Sequence, residues 1–184
     1  MDLRERLFLL LKEKGFKRGK FLLTSGKESD FYIDCRPVTL HPEGAYLVGK
    51  LFFEKLKSSL DQVRAVGGMT LGADPMATAV SLVSYLEGKP LYAFLIRKEA
   101  KKHGRGLWTE GIQNLPEGTG VVIVEDVVTT GGSTIKAIER AREEGLRVVR
   151  VLAIVDRDEG GRENLKGYGY EIESLFTRHD FMKG

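Results

Sequence analysis

The sequence contains a single cysteine, Cys35, among its 184 residues. One cysteine can form neither an intrachain disulfide nor a cysteine-based zinc site, so a reducing, cytoplasmic compartment is expected. Long hydrophobic runs are also lacking, and the N-terminal segment has only five consecutive apolar residues, 7–11, between charges. Such a run is too short for a signal peptide or a membrane span, and we expect no membrane partner.

The chain has little excess charge of either sign. It carries 29 Lys and Arg against 26 Asp and Glu, a net charge of +3. This excess is too small to indicate a nucleic-acid partner. No internal repeat, low-complexity tract or linker interrupts the sequence, and its length suits one domain spanning residues 1–184.

Apolar periodicity predicts an alternation of helices and strands. Helices are expected at about 2–14, 43–58, 72–87 and 132–144, and strands at about 31–34, 63–67, 91–96, 121–126, 147–155 and 170–176. Alternation with continuous apolar strands predicts an α/β core with a parallel sheet over about 41–160. The less regular residues 1–40 are expected to form a small cap, or hood, over that core.

The most informative segment is VVIVEDVVTTGGST, residues 121–134. Its apolar start predicts a buried strand, its glycines and hydroxyls a loop, and Ile135 and Ile138 the helix that follows. A strand, a small-residue loop and a helix N-terminus form an anion site, because free backbone N–H groups point at the ligand. This chain has neither the G-x-x-x-x-G-K-[ST] motif nor a G-x-G-x-x-G motif between a strand and a helix.

Two acids, Glu125 and Asp126, stand between this strand and this loop. Two negative charges would repel a phosphate alone. They suit a ligand that also presents hydroxyl groups or a divalent metal, and a phosphorylated ribose offers both. The alternative is an ordinary strand–turn–helix crossover with incidental acids.

A second strand, loop and helix pattern occupies residues 65–77, with Gly67, Gly68 and Gly72 around the loop. Two anion sites in one domain fit a ligand with phosphates at both ends. The alternative is a tight turn in which glycine is needed for a positive φ.

A basic segment, residues 96–106, begins where the strand at 91–96 ends. Glu99 is its only acid, and its cationic side chains are Arg97, Lys98, Lys101, Lys102, Arg105 and, when protonated, His103. Positioned cations stabilise a leaving group that gains negative charge, and a loop that closes excludes water. The alternative is a solvated surface.

Two further segments suit recognition of a planar, acidic molecule. In residues 21–36, a Ser25–Lys27 turn precedes Phe31 and Tyr32, and aromatic rings beside a polar turn suit a flat ligand. In residues 151–161, Arg157 follows a strand, where a guanidinium can bind a carboxylate with two hydrogen bonds. The alternatives are a hairpin with core aromatics and a surface salt bridge of Arg157 with Asp156 or Asp158.

These segments resemble, in the family's own order from about residue 20 to residue 160, the orotate phosphoribosyltransferases among the type I phosphoribosyltransferases. The patterns that carry the resemblance are E-D-V-V-T-T-G-G-S-T, R-K-E-x-K-x-H-G, F-x-L-x-S-G-x-x-S-x-F-Y-x-D and D-R-x-E-G-G. The resemblance implies transfer of the phosphoribosyl group of PRPP to orotate, giving orotidine 5′-monophosphate and pyrophosphate in pyrimidine synthesis. It also implies a homodimer whose catalytic loop is shared between subunits.

The resemblance assigns roles residue by residue. The PRPP-binding set is Arg97, Lys98, Lys101, His103, Glu125, Asp126, Val127, Val128, Thr129, Thr130, Gly131, Gly132 and Ser133. The pyrophosphate loop is Gly68, Met69 and Thr70, the orotate-binding set is Lys27, Tyr32, Thr129 and Arg157, and the catalytic set is Lys98, Lys101, His103 and Asp126. Mg²⁺ is the implied cofactor, held mainly by PRPP and water with no direct protein ligand. Thr24 and Leu71 depart from the family, since some members have lysine at each position.

Two other functions remain open from the sequence. A purine or uracil phosphoribosyltransferase would share the PRPP motif, although Arg157 and the basic segment favour orotate. A PRPP-sensing regulator would need a nucleic-acid-binding surface, for which the mild net charge gives little support.

Overall fold

The computed structural model describes residues 2–22, 28–99 and 108–183. The predicted site residues Lys27, Lys101 and His103 lie outside these ranges. The helices are α1 (Leu3–Lys14), α2 (Arg36–Thr39), α3 (Pro42–Leu56), α4 (Ala73–Leu86), α5 (Gly132–Glu143), α6 (Gly161–Gly167) and α7 (Arg178–Met182). The strands are β1 (Phe16–Leu22), β2 (Glu28–Ile33), β3 (Ala65–Met69), β4 (Tyr92–Ile96), β5 (Thr109–Glu110), β6 (Gly120–Val128), β7 (Arg147–Asp156) and β8 (Ile172–Thr177).

Six strands form the central sheet in the order β5-β4-β3-β6-β7-β8. All neighbours are parallel except β5, which pairs antiparallel with β4 at one edge. The α/β fold class with a mainly parallel sheet is therefore confirmed. The centre of the sheet is β6, whose apolar residues 121–124 are fully buried.

Alternate residues of the sheet face two apolar clusters. Val122, Val124 and Leu152 pack with side chains of α1, α3 and α4 on one face. Ile123 and Val151 pack with side chains of α5 and α6 on the other. Because both faces are covered by helices, the strands read as continuous apolar runs rather than as alternating patterns.

Residues 2–40 add α1, an antiparallel hairpin of β1 and β2, and the single turn α2. The sequence predicted α1 and part of β2 but not β1. The sequence of β1, FKRGKFL, is rich in charge and lacks the apolar run that identifies a buried strand. The hood over the core stays a prediction, for which this hairpin is the candidate, and α1 packs its leucines into the core.

The aromatic core supplies a test of the packing. Phe52 on α3 is fully buried, so Phe52→Ala should lower the free energy of unfolding by about 3–5 kcal/mol, through lost burial and the cavity left behind. The measurement is urea denaturation. The control is Leu9→Ala on α1, where the side chain is 41% exposed and the expected change is about 0.5 kcal/mol or less. Similar losses in both variants would contradict this assignment of the core.

Candidate active site

The candidate site lies at the carboxyl edge of the parallel strands. The backbone N–H of Thr70, just after β3, donates to the carbonyl of Ile96 at the end of β4, at 2.8 Å. The N–H of Arg157, just after β7, donates to the carbonyl of Val128 at the end of β6, at 2.9 Å. The loops that follow four neighbouring strands therefore start side by side, where ligands bind in open α/β sheets.

Glu125 and Asp126 lie within β6 and not beyond its end, since the strand continues through Val127 and Val128. The sequence predicted a strand end at about 126, and the two extra residues are held by pairing with Val155 and Asp156 of β7. Strand alternation places the two carboxylates on opposite faces of the sheet. Glu125 faces the first turn of α5, and Asp126 faces the loop after β3.

Glu125 is buried and bound to the first turn of α5. Its Oε2 accepts hydrogen bonds from Ser133 Oγ at 2.7 Å and from Thr134 Oγ1 at 3.2 Å. Burial, reinforced by the negative charge of Asp126, raises the pKa of Glu125 to about 7, and the two hydroxyl donors oppose that rise. Burial without a cationic partner disfavours the charged form. The site therefore holds this carboxyl close to its titration point near neutral pH.

Asp126 is half-buried, and its Oδ1 accepts the backbone N–H of Val127 at 2.9 Å. A Cβ atom added at Gly72 would lie 2.8 Å from the same oxygen. Glycine at position 72 therefore lets the start of α4 approach the Asp126 carboxylate closely. This contact joins the two loops that the sequence predicted as separate anion sites.

The segment 129–134 forms the loop after β6 and the first residues of α5. Gly131 precedes the helix with a φ of 80°, a conformation that glycine adopts without strain, and the helix runs for 12 residues. The first N–H groups of such a helix have no intrahelical acceptor and are available to an anion. The side-chain amide of Asn164 on α6 donates to the Thr130 carbonyl at 2.9 Å and fixes the loop from behind.

The second loop, after β3, requires glycine because of close packing. A Cβ atom at Gly68 would lie 2.3 Å from the Val124 carbonyl oxygen. Met69 is nearly buried, Thr70 is half-buried, and Leu71 is 69% exposed. Thr70 and Leu71 line a cavity of about 490 Å³, which is also lined by Asp74, Leu95, Arg97, Lys98, Glu99 and Glu110.

Two predicted cations, Arg97 and Lys98, reach this cavity. Arg97 donates from Nε and Nη2 to Oε1 of Glu110, at 3.0 and 2.6 Å, so part of its guanidinium is engaged. Lys98 is exposed. Glu110 is not recognisable from the sequence as the partner of Arg97, because the pair is separated by 13 positions and depends on the pairing of β4 with β5.

Arg157 is 3% exposed, which excludes the alternative of a surface salt bridge. Its Nε donates to Oε1 of Glu159 at 2.9 Å, and its guanidinium carbon lies 4.2 Å from the centre of the Phe31 ring. Asp156, one of the two partners considered from sequence beside Asp158, instead accepts a hydrogen bond from Arg162 at 2.9 Å. Sequence reasoning missed Glu159 as the partner.

The two aromatics of β2 have different environments. Phe31 is fully buried beneath Arg157, whereas Tyr32 is 39% exposed, with its ring centre 5.6 Å from that of Phe21. Tyr32 is therefore the aromatic that presents a surface to solvent. Thr129 is half-buried at the start of the loop after β6.

The carboxylates of the site have the chemistry that fits a hard divalent metal. Over residues 2–22, 28–99 and 108–183, no group of three or more His, Cys, Asp or Glu side chains is arranged to hold a metal ion. The adjacent carboxylates at 125 and 126 are hard oxygen donors, which magnesium prefers, but Glu125 already accepts two hydroxyl hydrogen bonds. In the same ranges, none of the helices has the length and apolar character needed to cross a bilayer.

The sequence and fold of the chain are similar to those of known phosphoribosyltransferases. The model of the phosphoribosyl transferase domain matches residues 41–174, from the start of α3 into β8. The orotate phosphoribosyltransferase of Sorangium cellulosum is 49% identical over 97% of this chain and 93% of its own length. A crystal structure of Mycobacterium tuberculosis orotate phosphoribosyltransferase in complex with Fe(III) dicitrate superposes with a TM-score of 0.84 at 36% identity, covering 98% of this chain and 99% of that one.

The same M. tuberculosis enzyme in complex with PRPP has a TM-score of 0.80 at 33% identity, with 98% of this chain and 99% of that chain covered. The chain belongs to the phosphoribosyl transferase family, in its orotate phosphoribosyltransferase branch. The resemblance inferred from the sequence patterns is thereby confirmed.

The raised pKa of Glu125 predicts a stability cost for this residue. Between the ordinary value of 4.5 and about 7, the unfolded chain releases this proton while the folded chain retains it, so rising pH destabilises the fold. Glu125→Gln should therefore be more stable than the wild type above pH 7, and the difference should vanish near pH 4.5. Urea denaturation at both pH values is the measurement.

The control for this prediction is Glu139→Gln on the exposed side of α5, which should change stability little and equally at both pH values. A Glu125→Gln variant that is less stable than the wild type above pH 7 would show that the carboxylate stabilises the fold.

Proposed function

We propose that the chain transfers the 5-phosphoribosyl group of PRPP to orotate, giving orotidine 5′-monophosphate and pyrophosphate in pyrimidine nucleotide synthesis. The observation that carries this function is the joining of the two strand–loop–helix sites through Gly72 and Asp126, with buried Arg157 on the neighbouring strand end. This arrangement offers an anion site on either side of a carboxylate, as a ribose with phosphates at both ends requires.

The end of β6 and the loop after it, residues 127–133, are proposed to bind the 5′-phosphate, mainly with backbone N–H groups at the start of α5. Asp126 accepts hydrogen bonds from the ribose hydroxyls. Its negative charge also favours the positive charge that develops on the ribose as pyrophosphate departs. Glu125 accepts hydrogen bonds from Ser133 and Thr134 and in this way holds the first turn of α5 in place.

The loop Gly68, Met69 and Thr70 is proposed to hold the pyrophosphate, with Arg97 and Lys98 in the adjoining cavity. Lys101 and His103, which lie outside the described residues, complete the set of cations. These groups stabilise the negative charge that accumulates on the leaving group. Mg²⁺ carried by PRPP would supply positive charge to the pyrophosphate, and the Asp126 carboxylate would offer it hard oxygen donors from the ribose side.

Orotate is proposed to bind between the hood and the loop after β7. Its carboxylate is the group that uracil and the purines lack, and Arg157 supplies the cation for it. Burial of this guanidinium strengthens its attraction to an anion, and Glu159 and the Phe31 ring hold it in place. Tyr32, Thr129 and Lys27 are proposed to contact the pyrimidine ring.

The active form is proposed to be a homodimer in which each subunit supplies its basic loop to the other. An apolar groove of about 700 Å³ between α3 and α4 supports this proposal, because several large apolar side chains that line it are exposed to solvent. The apolar residues among them are Leu40, Tyr46, Leu71, Leu82 and Leu86, which are 52–73% exposed. Exposed apolar patches of this kind mark protein interfaces.

The position of the groove favours a second copy as its occupant. Leu71 and Asp74 line both the groove and the cavity proposed for pyrophosphate. A subunit seated in the groove would therefore stand beside the leaving-group site of its partner. We further propose that residues 1–184 act as one domain and that the enzyme works in the cytoplasm, in keeping with a single, buried cysteine.

The reaction is tested by the ultraviolet absorbance of orotate after mixing with protein, PRPP and Mg²⁺. We expect a loss of absorbance that EDTA abolishes and that pyrophosphate reverses in the presence of the nucleotide product. Asp126→Asn should lower kcat roughly 10²–10³-fold, as losses of positioned transition-state contacts do. Arg157→Gln should raise the KM for orotate and leave PRPP binding intact. Turnover of hypoxanthine or uracil without orotate turnover would contradict the proposal.

The dimer is tested at the apolar groove. Leu82→Glu combined with Leu86→Glu places two charges on a face that would be buried, so sedimentation velocity should show a monomer with strongly reduced activity. Leu9→Glu, on the exposed part of α1, is the control and should leave mass and activity unchanged. A wild-type protein that is a fully active monomer would exclude the shared loop.

A further inference from the structure

Strand β5 has no role in the proposed reaction as described above. It contains only Thr109 and Glu110, which pair antiparallel with Ile96 and Leu95 at the end of β4. So short a strand has little stability of its own and depends on contacts outside the ladder. Residues of β5 and its neighbour Trp108 contact α5 on one side and Arg97 on the other.

The contacts on one side are with α5. Trp108 is the residue directly before β5, and the guanidinium carbon of Arg140 lies 3.8 Å from the centre of its ring. The buried hydroxyl of Thr109 donates to Glu144, which follows α5, at 2.9 Å. β5 is therefore fastened to the helix whose N-terminus forms the proposed 5′-phosphate loop.

The contacts on the other side are with Arg97. Its backbone N–H donates to the Trp108 carbonyl at 2.7 Å, and its Nε and Nη2 donate to Glu110 at 3.0 and 2.6 Å. The third guanidinium nitrogen, Nη1, forms no hydrogen bond with any residue of the described ranges. The backbone and one side of the Arg97 side chain are thus fixed, and donors remain for a ligand in the cavity that Thr70 also lines.

We propose that Trp108, Arg140 and Glu110 are positioning residues for Arg97. The stack of Arg140 on Trp108 holds β5 against α5, and Glu110 on β5 holds the guanidinium at the pyrophosphate cavity. The inference rests on the proposed function, which places pyrophosphate there. An arginine held in advance loses less side-chain freedom when it binds an anion, so binding is tighter than for an unrestrained arginine.

Two ligands separate positioning from general damage. Calorimetry with Mg²⁺-pyrophosphate measures the Arg97 side of the site, and calorimetry with ribose 5-phosphate measures the α5 loop. Trp108→Leu and Arg140→Gln should weaken pyrophosphate binding about three- to fivefold, as expected for loss of one partly exposed cation–π contact. Ribose 5-phosphate binding should stay unchanged. Trp108→Phe, which retains an aromatic face, should restore most of the pyrophosphate affinity.

The matched control lies on the same helix. Arg142 also contacts an aromatic ring, with its guanidinium carbon 5.2 Å from the centre of Tyr170 and its Nη2 2.8 Å from the tyrosine hydroxyl. Tyr170 is remote from β5 in the sheet order, next to β8 at the opposite edge. Arg142→Gln should leave the affinity for both ligands unchanged.

Glu110→Ala provides the third arm, with an expected loss of pyrophosphate affinity of about fivefold or more, since an ion pair adds to the restraint. Tighter pyrophosphate binding by Glu110→Ala would identify Glu110 as a competing anion and overturn the inference. Equal weakening of both ligands in Trp108→Leu and Arg140→Gln would also overturn it. A wild type that binds ribose 5-phosphate but not pyrophosphate would instead refute the proposed leaving-group site, and with it the purpose of the restraint.

Discussion

The site depends on the buried carboxyl of Glu125 and the two hydroxyl groups that it binds. Ser133 and Thr134 donate to the same carboxylate oxygen, so the first turn of α5 is fixed to the middle of the sheet. This connection sets where the free N–H groups of the helix point. It has a cost, because burial raises the pKa of the carboxyl to about 7 and disfavours its charged form. The fold therefore retains a residue that works against stability near neutral pH, as functional sites commonly do.

How much of the fold the sequence predicts depends on burial. The strands β3, β4, β6, β7 and β8 lie between covered faces or beside them, and their apolar residues make them recognisable in the sequence, as are the four longer helices. The elements that escaped prediction are short or polar: β1 carries three charges in seven residues, and β5 has two residues. Such elements exist because of partners distant in sequence, which apolar periodicity does not record. The end of β6 was misplaced for the same reason, since its last pairs depend on β7.

Some residues of the candidate site can likewise be predicted from the sequence, and others cannot. Residue types that a ligand requires, such as the acids of β6 and the glycines of both loops, could be recognised in the sequence because their chemistry is local. The residues that hold them could not. The pairing of Glu110 with Arg97 and the closeness of Gly72 to Asp126 are explained only by the pairing of β4 with β5 and of β3 with β6. Glu159, two residues from Arg157, could have been suggested by its spacing, but only the burial of the arginine shows why a nearby carboxylate is needed.

Three of the four strand ends at the site are stabilised in different ways, and this difference suits the parts of the proposed substrate. The loop after β6 is held by a buried carboxylate and by Asn164, which suits the proposed site of the phosphate that does not react. Arg157 is enclosed by Phe31 and Glu159 and offers a fixed charge. Arg97, by contrast, is partly exposed and belongs to the sheet edge that precedes the basic segment. In the proposed assignment, buried and hydrogen-bonded groups thus surround the sites of the 5′-phosphate and of orotate, and the more exposed cations lie at the site of pyrophosphate. A carboxylate partner at that edge fixes the direction of Arg97 while moderating its charge, which is compatible with both binding and release of pyrophosphate.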